Sequence, residues 1–554
     1  MADSQMDLVK YLEPRVNVKE TVESDHVVLQ GGMRLNEQIT TANSWGSVGA
    51  PPVQASWTVN PPSTQTIVDR NMKVKCYFEV TTDATLQIGI NDALRQFPIA
   101  SIMDVLTVQI NGETVSDNMA DKIHAMLCYG NDAETRGRDC STSPGMPDNY
   151  QEYADYATEG TGKNSLAKYG EPGGKDEGRG GFPITVLSPT SFRVEITEPL
   201  FMSPFLNGLH HSAEGFVNIN QMNINMRWKS NLSQLLSHSS LGGAITTVSV
   251  SMYQAPEILT TFITPDLTQQ LPALQVLPYS KTQEYIRQMP VLAGATPGVY
   301  ATTTVVTDSI RLSQVPRRVY LFARHQRALS NQNTTDSFCA IENLSILWNN
   351  QSGLLSSASQ QDLYRISASN GCNLTFPQWS KYRGSVMAIE MGKDIGLLDT
   401  EAPGVQGSYT LQVTATLSNQ SASTFTGEFY LVVQNQGTFS ISENFARASL
   451  GNLNQAMVLS AKQSPEIHHL TYEQLQGGSF FSGLRNIVHK VARGVQRVAN
   501  SRFAKGLVGT IAPEFSSTLA GVGKLAGMAS RATGSGVSGG AVSGGRRMKR
   551  LSRR

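Results

Sequence analysis

No run of about eighteen apolar residues occurs in this chain of 554, so no segment crosses a bilayer as a simple helix. Cysteine is sparse. Cys76, Cys128, Cys140, Cys339 and Cys372 are too few and too irregularly spaced for a disulfide framework or a C-x-x-C metal site, which makes a reduced, intracellular chain the expectation. The opening MADSQMDLVKYLEPRVNVKE carries acids where a secretory signal has a basic start and an apolar core. The N-x-[ST] triplets at Asn231 and Asn343 then read as ordinary β-protein chemistry. Enzyme signatures are missing as well: there is no phosphate-binding loop and no dinucleotide fingerprint. Gly536-Val537-Ser538-Gly539-Gly540 matches the nucleophile-elbow letters, but it sits in a Gly/Ser spacer without the strand and helix that would expose a strained serine. His210-His211 and His468-His469 are adjacent pairs, whose side chains on a strand would point to opposite faces rather than to one metal. No catalytic residue, metal or cofactor is expected, and the chain is not read as an enzyme.

Charged residues make up only 16% of the sequence, while Ser, Thr, Asn, Gln and Gly abound, a composition that suits a β-rich protein with long polar loops. Period-two alternation bears this out from 70 to 460. NMKVKCYFEV places Met72, Val74, Cys76, Phe78 and Val80 on one face. The same pattern sets Met222, Ile224, Met226 and Trp228, then Val248, Val250 and Met252, then Tyr409, Leu411, Val413, Ala415 and Leu417, on buried faces. Asn111-Gly112 in VQINGETV supplies the two positive-φ residues of a type I′ hairpin. Strands fall into two blocks of roughly 200 residues, each enough for eight strands. The expected fold is all-β, two consecutive eight-stranded antiparallel sandwiches: 33–265, with a long polar surface loop at 129–182, and 281–478, joined by a linker at 266–280. One helix is expected in SSASQQDLYRISA, with Ser359 as cap and Leu363, Tyr364 and Ile366 as its apolar stripe.

The net charge of +1 conceals an asymmetry. From Phe481 to Arg554 there are fourteen Lys/Arg and one acid, Glu514, a local charge of +13 that leaves −12 for everything before it. Leu484, Ile487, Val488, Val491, Val495 and Val498 recur at helical spacing, with Arg485, Lys490, Arg493 and Arg497 opposite. A Gly/Ser spacer follows, then Arg546, Arg547, Lys549, Arg550, Arg553 and Arg554. Such a tail packs on the body by its valine stripe, neutralises phosphates, or lies on a membrane interface, and the residues leave these three open. In and just after SQVPRRVYLFARHQ, Arg317, Arg318, Arg324 and Arg327 surround an apolar strand; they are its charged flanks or an inter-subunit contact.

One tetrapeptide occurs twice, as LQGG at Leu29 to Gly32 before Met33 and at Leu475 to Gly478 before Ser479. Chance would supply a given tetrad on the order of 0.02 times in such a chain. Flexible Gly-Gly at the edges of the folded body is one cause.

SQVPRRVYLFAR, IENLSILWNNQSGLLSSASQQDLYRISASNG and GSVMAIEMGKDIGL resemble the second half of double jelly-roll major capsid proteins of polinton-like viruses, adintoviruses and virophages. WTVNPPSTQTIVDRNMKVKCYFEV and ITEPLFMSPF resemble their first half, so the resemblance covers most of 50–450. It implies two jelly rolls standing side by side, three chains forming a pseudo-hexagonal capsomer of an icosahedral DNA virus, and the 129–182 excursion as a tower on the outer surface. It further implies an adenain-like cysteine protease that cuts after Gly-Gly with an apolar residue four positions before the bond. Both copies fit: Leu29, Gly31, Gly32 and Met33 at one site, and Leu475, Gly477, Gly478 and Ser479 at the other. On this expectation 1–32 is a leader, 479–554 a basic tail, and the partners are further copies of the chain, penton and minor capsid proteins, the protease, and genome DNA or an internal membrane. The chain would be made in the host cytoplasm, with assembly there or in the nucleus, and reside in the virion. The rival is a jelly-roll receptor- or carbohydrate-binding spike or fibre module, which calls for an exposed aromatic cluster; the chain has five tryptophans.

Overall fold

In a computed structural model of the chain, the described residues are 34–63, 65–129, 184–205, 215–264, 271–296 and 299–462, together with 8–9, 27–28, 147–148 and Tyr153. The chain divides into two compact units, Met1–Val458 and Leu459–Arg554. The architecture below belongs to the first.

Alternation builds the first sandwich as the sequence predicts. In strand Lys73–Thr82, Val74, Cys76, Phe78 and Val80 point into the core. The strand lies in the middle of a seven-stranded sheet: Ser191–Pro199 pairs along one edge, and Val248–Met252 and Glu257–Thr264 share the other. The facing sheet orders Gln54–Val59, Met222–Trp228, Met103–Ile110 and Glu113–Asp117, with Met222, Ile224, Met226 and Trp228 inward. Its last two strands are the hairpin closed by Asn111 (φ 44°) and Gly112 (φ 91°), the positive angles that a type I′ turn requires.

The second sandwich packs a sheet of Leu274–Gln288, Gly427–Ser442, Arg318–His325 and Val386–Glu390 on one of Ala301–Val306, Gln406–Asn419, Ala340–Trp348 and Gln351–Leu354. Tyr409, Leu411, Val413, Ala415 and Leu417 all face the core. Helix Gln360–Ser369 begins at Ser359, whose hydroxyl accepts from the Asp362 amide while Asp362 accepts from the Ser359 amide, a reciprocal capping box. Leu363 is its buried anchor; Tyr364 and Ile366 are half-buried.

The linker expected at 266–280 meets a different outcome. Residues 274–280 already belong to the fifteen-residue strand Leu274–Gln288, paired along its whole length with Gly427–Ser442. Leu277 and Tyr279, with Phe439, Ile441 and Ala446, are buried in the core of the first sandwich, not the second. Pro278 gives the stretch the look of a loop, but it lies on an edge strand, one of the places where a sheet tolerates proline. The start of Leu274–Gln288 and the hairpin of Gly427–Ser442 with Ala446–Leu450 thus complete the first core.

Candidate functional site

Where the two sandwiches meet, charged side chains are buried. Arg95 follows the strand Asp92–Leu94, in a run of otherwise apolar neighbours, and is 1% exposed. Its guanidinium reaches into the second sandwich: Nη1 meets Asp336 Oδ1 at 3.0 Å, and Nη2 donates to Asn331 O at 3.0 Å and Thr334 O at 2.7 Å. In the other direction, Arg324 donates to Asp121 O at 2.8 Å, and Arg327 reaches Asp121 Oδ2 at 3.0 Å and Asp104 Oδ1 at 2.5 Å. Lys122 uses its three N–H groups on Asp117 (2.5 Å) of its own sandwich and on Thr282 (2.6 Å) and Glu284 (2.8 Å) of the other. Arg383 donates to His124 O at 3.1 Å and to Asp148 O at 3.3 Å. The pairs that cross the boundary are of opposite sign, so a displaced sandwich would bury unpaired charge.

The electrostatics follow from burial. His124 Nε2 lies 3.3 Å from Asp336 Oδ2 and 3.1 Å from Ser101 Oγ. Desolvation, helped by Arg324, Arg95 and Arg383 and opposed by Asp336, lowers its pKa to about 4, so the ring is neutral at neutral pH. Burial also lowers Lys229 to about 8, against the pull of Asp121 at 3.3 Å. For Asp121 burial works the other way, but Lys229, Arg324 and Arg327 outweigh it and hold the carboxyl below its ordinary range. His238 is the counterpart. Its ring nitrogens face Asp92 Oδ1 at 2.7 Å and Gly243 O at 2.8 Å, and these bonds outweigh burial and raise its pKa. Its backbone amide donates to Gln332 O across the boundary at 2.9 Å.

Two seam residues come from the stretch expected as a surface excursion. Asp148 and Tyr153 are buried: Asp148 Oδ2 accepts from the Asp336 amide at 2.8 Å, and Tyr153 donates to Asp148 or Ser237. Apart from these two and Pro147, residues 130–182 lie outside the described residues. Of the arginines in and just after SQVPRRVYLFARHQ, Arg324 and Arg327 bind the other sandwich of the same chain, and Arg318 pairs with Glu390. The inter-subunit alternative is not needed for these three. Leu29, Gly31, Gly32, Met33, Leu475, Gly477, Gly478 and Ser479 lie outside the described residues, as do Arg485, Lys490, Arg493, Arg497, Arg546, Arg547, Lys549, Arg550, Arg553, Arg554 and both histidine pairs. The strand Arg34–Thr41 begins one residue after Met33. Among the described residues no cluster could hold a metal ion.

Arg95, Asp121, Lys122, His124, Asp336 and Arg383 escape a sequence reading based on periodicity. For Arg95, Asp121, Lys122 and His124 the one local signal is a charge set in an apolar run, as in DALRQFPIASI and ADKIHAMLCY, whereas Asp336 and Arg383 stand in polar stretches and carry none.

Two family models match the chain: the Sputnik virophage major capsid protein 1st domain over 7–191, and the major capsid protein V20 C-terminal domain over 279–437. The putative capsid protein V20 of Sputnik virophage is 31% identical, over 98% of this chain and 97% of the relative. A capsid chain in the cryo-electron microscopy structure of the Sputnik virophage superposes with a TM-score of 0.73 at 31% identity, covering 86% of this chain and 99% of that one. The mavirus major capsid protein shares the fold, with a TM-score of 0.63 at 16% identity over 77% of this chain and 92% of that one.

Proposed function

From the premise that the chain belongs to the double jelly-roll major capsid proteins of virophages, we propose that it builds an icosahedral shell from trimeric, pseudo-hexagonal capsomers. As a major capsid protein it is a component of a virion. The observation that carries the finer reading is the buried seam. Two sandwiches locked by a shared hairpin and by opposed charges behave as one block, so three chains present six similar modules in fixed orientation. Assembly would be driven by burial of apolar side walls between copies rather than by any single residue.

The leader and the tail are the parts removed or redeployed in maturation. Cleavage after Gly32 would leave the strand Arg34–Thr41 whole, and cleavage after Gly478 lies sixteen residues beyond the helix Gln455–Lys462, so neither cut touches a described element of the body. Gly-Gly suits a narrow protease cleft because it lacks Cβ beside the scissile bond. The basic tail would meet genome DNA or an internal membrane before release, while penton and minor capsid proteins take the remaining contacts of the shell. A carbohydrate-binding spike would need an aromatic platform; Trp57, Trp228, Trp348 and Trp379 are buried and Trp45 is half-buried, so tryptophan supplies none.

Sedimentation of the purified chain tests the first part, with trimers expected and persistent monomers counting against it. Intact mass of particle-derived protein tests the second. Termini at Met33 and Ser479 are expected, and full-length chains throughout mature particles would exclude the cuts.

A further inference from the structure

Cys128 and Cys372 lie near one another across the seam. Cys128 lies in the 3-10 turn Leu127–Tyr129 of the first sandwich, and Cys372 follows the helix Gln360–Ser369 of the second. The Asn373 amide donates to Cys128 O at 2.8 Å and Asn373 Nδ2 to Leu127 O at 3.2 Å, so the backbone at 372–373 runs alongside that at 127–128. Cys372 immediately precedes the donor and Cys128 is the acceptor, so standard backbone lengths keep the two Cα atoms within about 8 Å, a range that includes the span a disulfide bridges. Both side chains pack in the second core. Burial, with the nearby Cys128 thiol adding to it, pushes the Cys372 thiol up to about 11. Cys128 is buried and Cys372 half-buried, so a reagent reaches the pair from the Cys372 side. As a thiol, Cys128 contributes one weak hydrogen bond, to His124 O at 3.4 Å, and the ion pairs of the seam use neither sulfur.

We propose that Cys128 and Cys372 are a cross-linking site at which oxidation joins the two sandwiches of one chain by a disulfide. The oxidant is a small disulfide such as oxidised glutathione. The Cys372 thiolate attacks one of its sulfurs, forming a mixed disulfide and expelling one thiolate, which takes up the proton that Cys372 lost. The Cys128 sulfur, on losing its proton, attacks the Cys372 sulfur and expels the second thiol, which carries that proton away. Two protein thiols are oxidised and one small disulfide is reduced to two thiols. The raised Cys372 pKa makes the reaction slow. In a reducing cytoplasm the pair stays open, and outside the cell it closes. A bridge between residues so distant in sequence restricts the unfolded chain strongly, and it would hold the seam when acid weakens its ion pairs.

The test uses the purified full-length chain, incubated with oxidised or reduced glutathione, alkylated and mapped by mass spectrometry without reduction. The expected result is a chain lighter by two hydrogens, with the peptides bearing Cys128 and Cys372 linked, and an unfolding midpoint at mildly acidic pH above that of the reduced form. Cys372→Ser should abolish both the link and the shift while leaving the reduced chain folded. Recovery of both thiols as alkylated cysteines would overturn the proposal. So would a stable glutathione adduct on Cys372, or a link from Cys128 to Cys140 instead.

Discussion

His124 and His238 sit in opposite electrostatic surroundings, and acid should act on them with opposite sign. The folded His124 pKa, about 4, lies below the ordinary 6.5. Its neutral ring therefore contributes full stability above pH 6.5, and that contribution is lost as pH falls toward 4, in total on the order of 3 kcal/mol. His238 has a raised pKa, so its contribution is full below 6.5 and disappears as pH rises through the folded value. Urea midpoints across this range should show His124→Gln flattening the acid limb and His238→Gln the neutral one; parallel profiles for wild type and His124→Gln would refute the assignment. Arg95→Met leaves Asp336 to the more distant Arg324, at 3.7 Å, and should cost about 3–5 kcal/mol, whereas Arg95→Met combined with Asp336→Leu should cost clearly less. Equal losses in the single and double variants would show that the pair does not act as a unit. None of these residues stands out by periodicity: the pairs that cross the seam join residues more than a hundred positions apart, and a pattern read over ten residues does not reach that far.

Local elements were legible where one interaction within a few residues decides the conformation. Asn111-Gly112 marks its turn and Ser359 marks its helix start, because both signals are local; the reciprocal bond from Asp362 is added by the structure. Ser359→Ala should cost about 1 kcal/mol, read as a shift of the urea midpoint. The strand Leu274–Gln288 was not legible as a continuous strand. Its first half packs on the first core while the residues that follow the strand pack on the second, and Pro278 imitates a break. Phe439→Ala, although it lies in the second block, should destabilise the chain by about 3–5 kcal/mol and speed hydrogen exchange in Met222–Trp228 of the first sandwich. Faster exchange confined to the second sandwich would contradict the shared core. Gly384 makes a tighter demand. It holds φ +92°, and a Cβ there would sit 1.9 Å from Phe338 O, so Gly384→Ala should yield little folded protein.

At the scale of the molecule, the sequence discloses two all-β sandwiches and the family they resemble, and the structure adds how they are joined. Composition and alternation identify strands because each strand satisfies its own burial pattern. The joint is a property of two surfaces, visible only once distant charges are brought together. A shared hairpin and crossed ion pairs make the sandwiches one cooperative body, so calorimetry of the chain should show a single transition for residues 34–458, and the first sandwich expressed alone as 34–265 should not fold, lacking Leu277, Tyr279, Phe439 and Ile441. The central claim is that this rigid double sandwich is the repeating block of a capsid. Cryo-electron microscopy of the purified chain tests it most directly. Class averages of trimers with a six-lobed outline, two lobes to each chain in the relative orientation fixed by Arg95–Asp336 and Arg327–Asp121, are the predicted result; monomers whose two lobes vary in mutual orientation would contradict it.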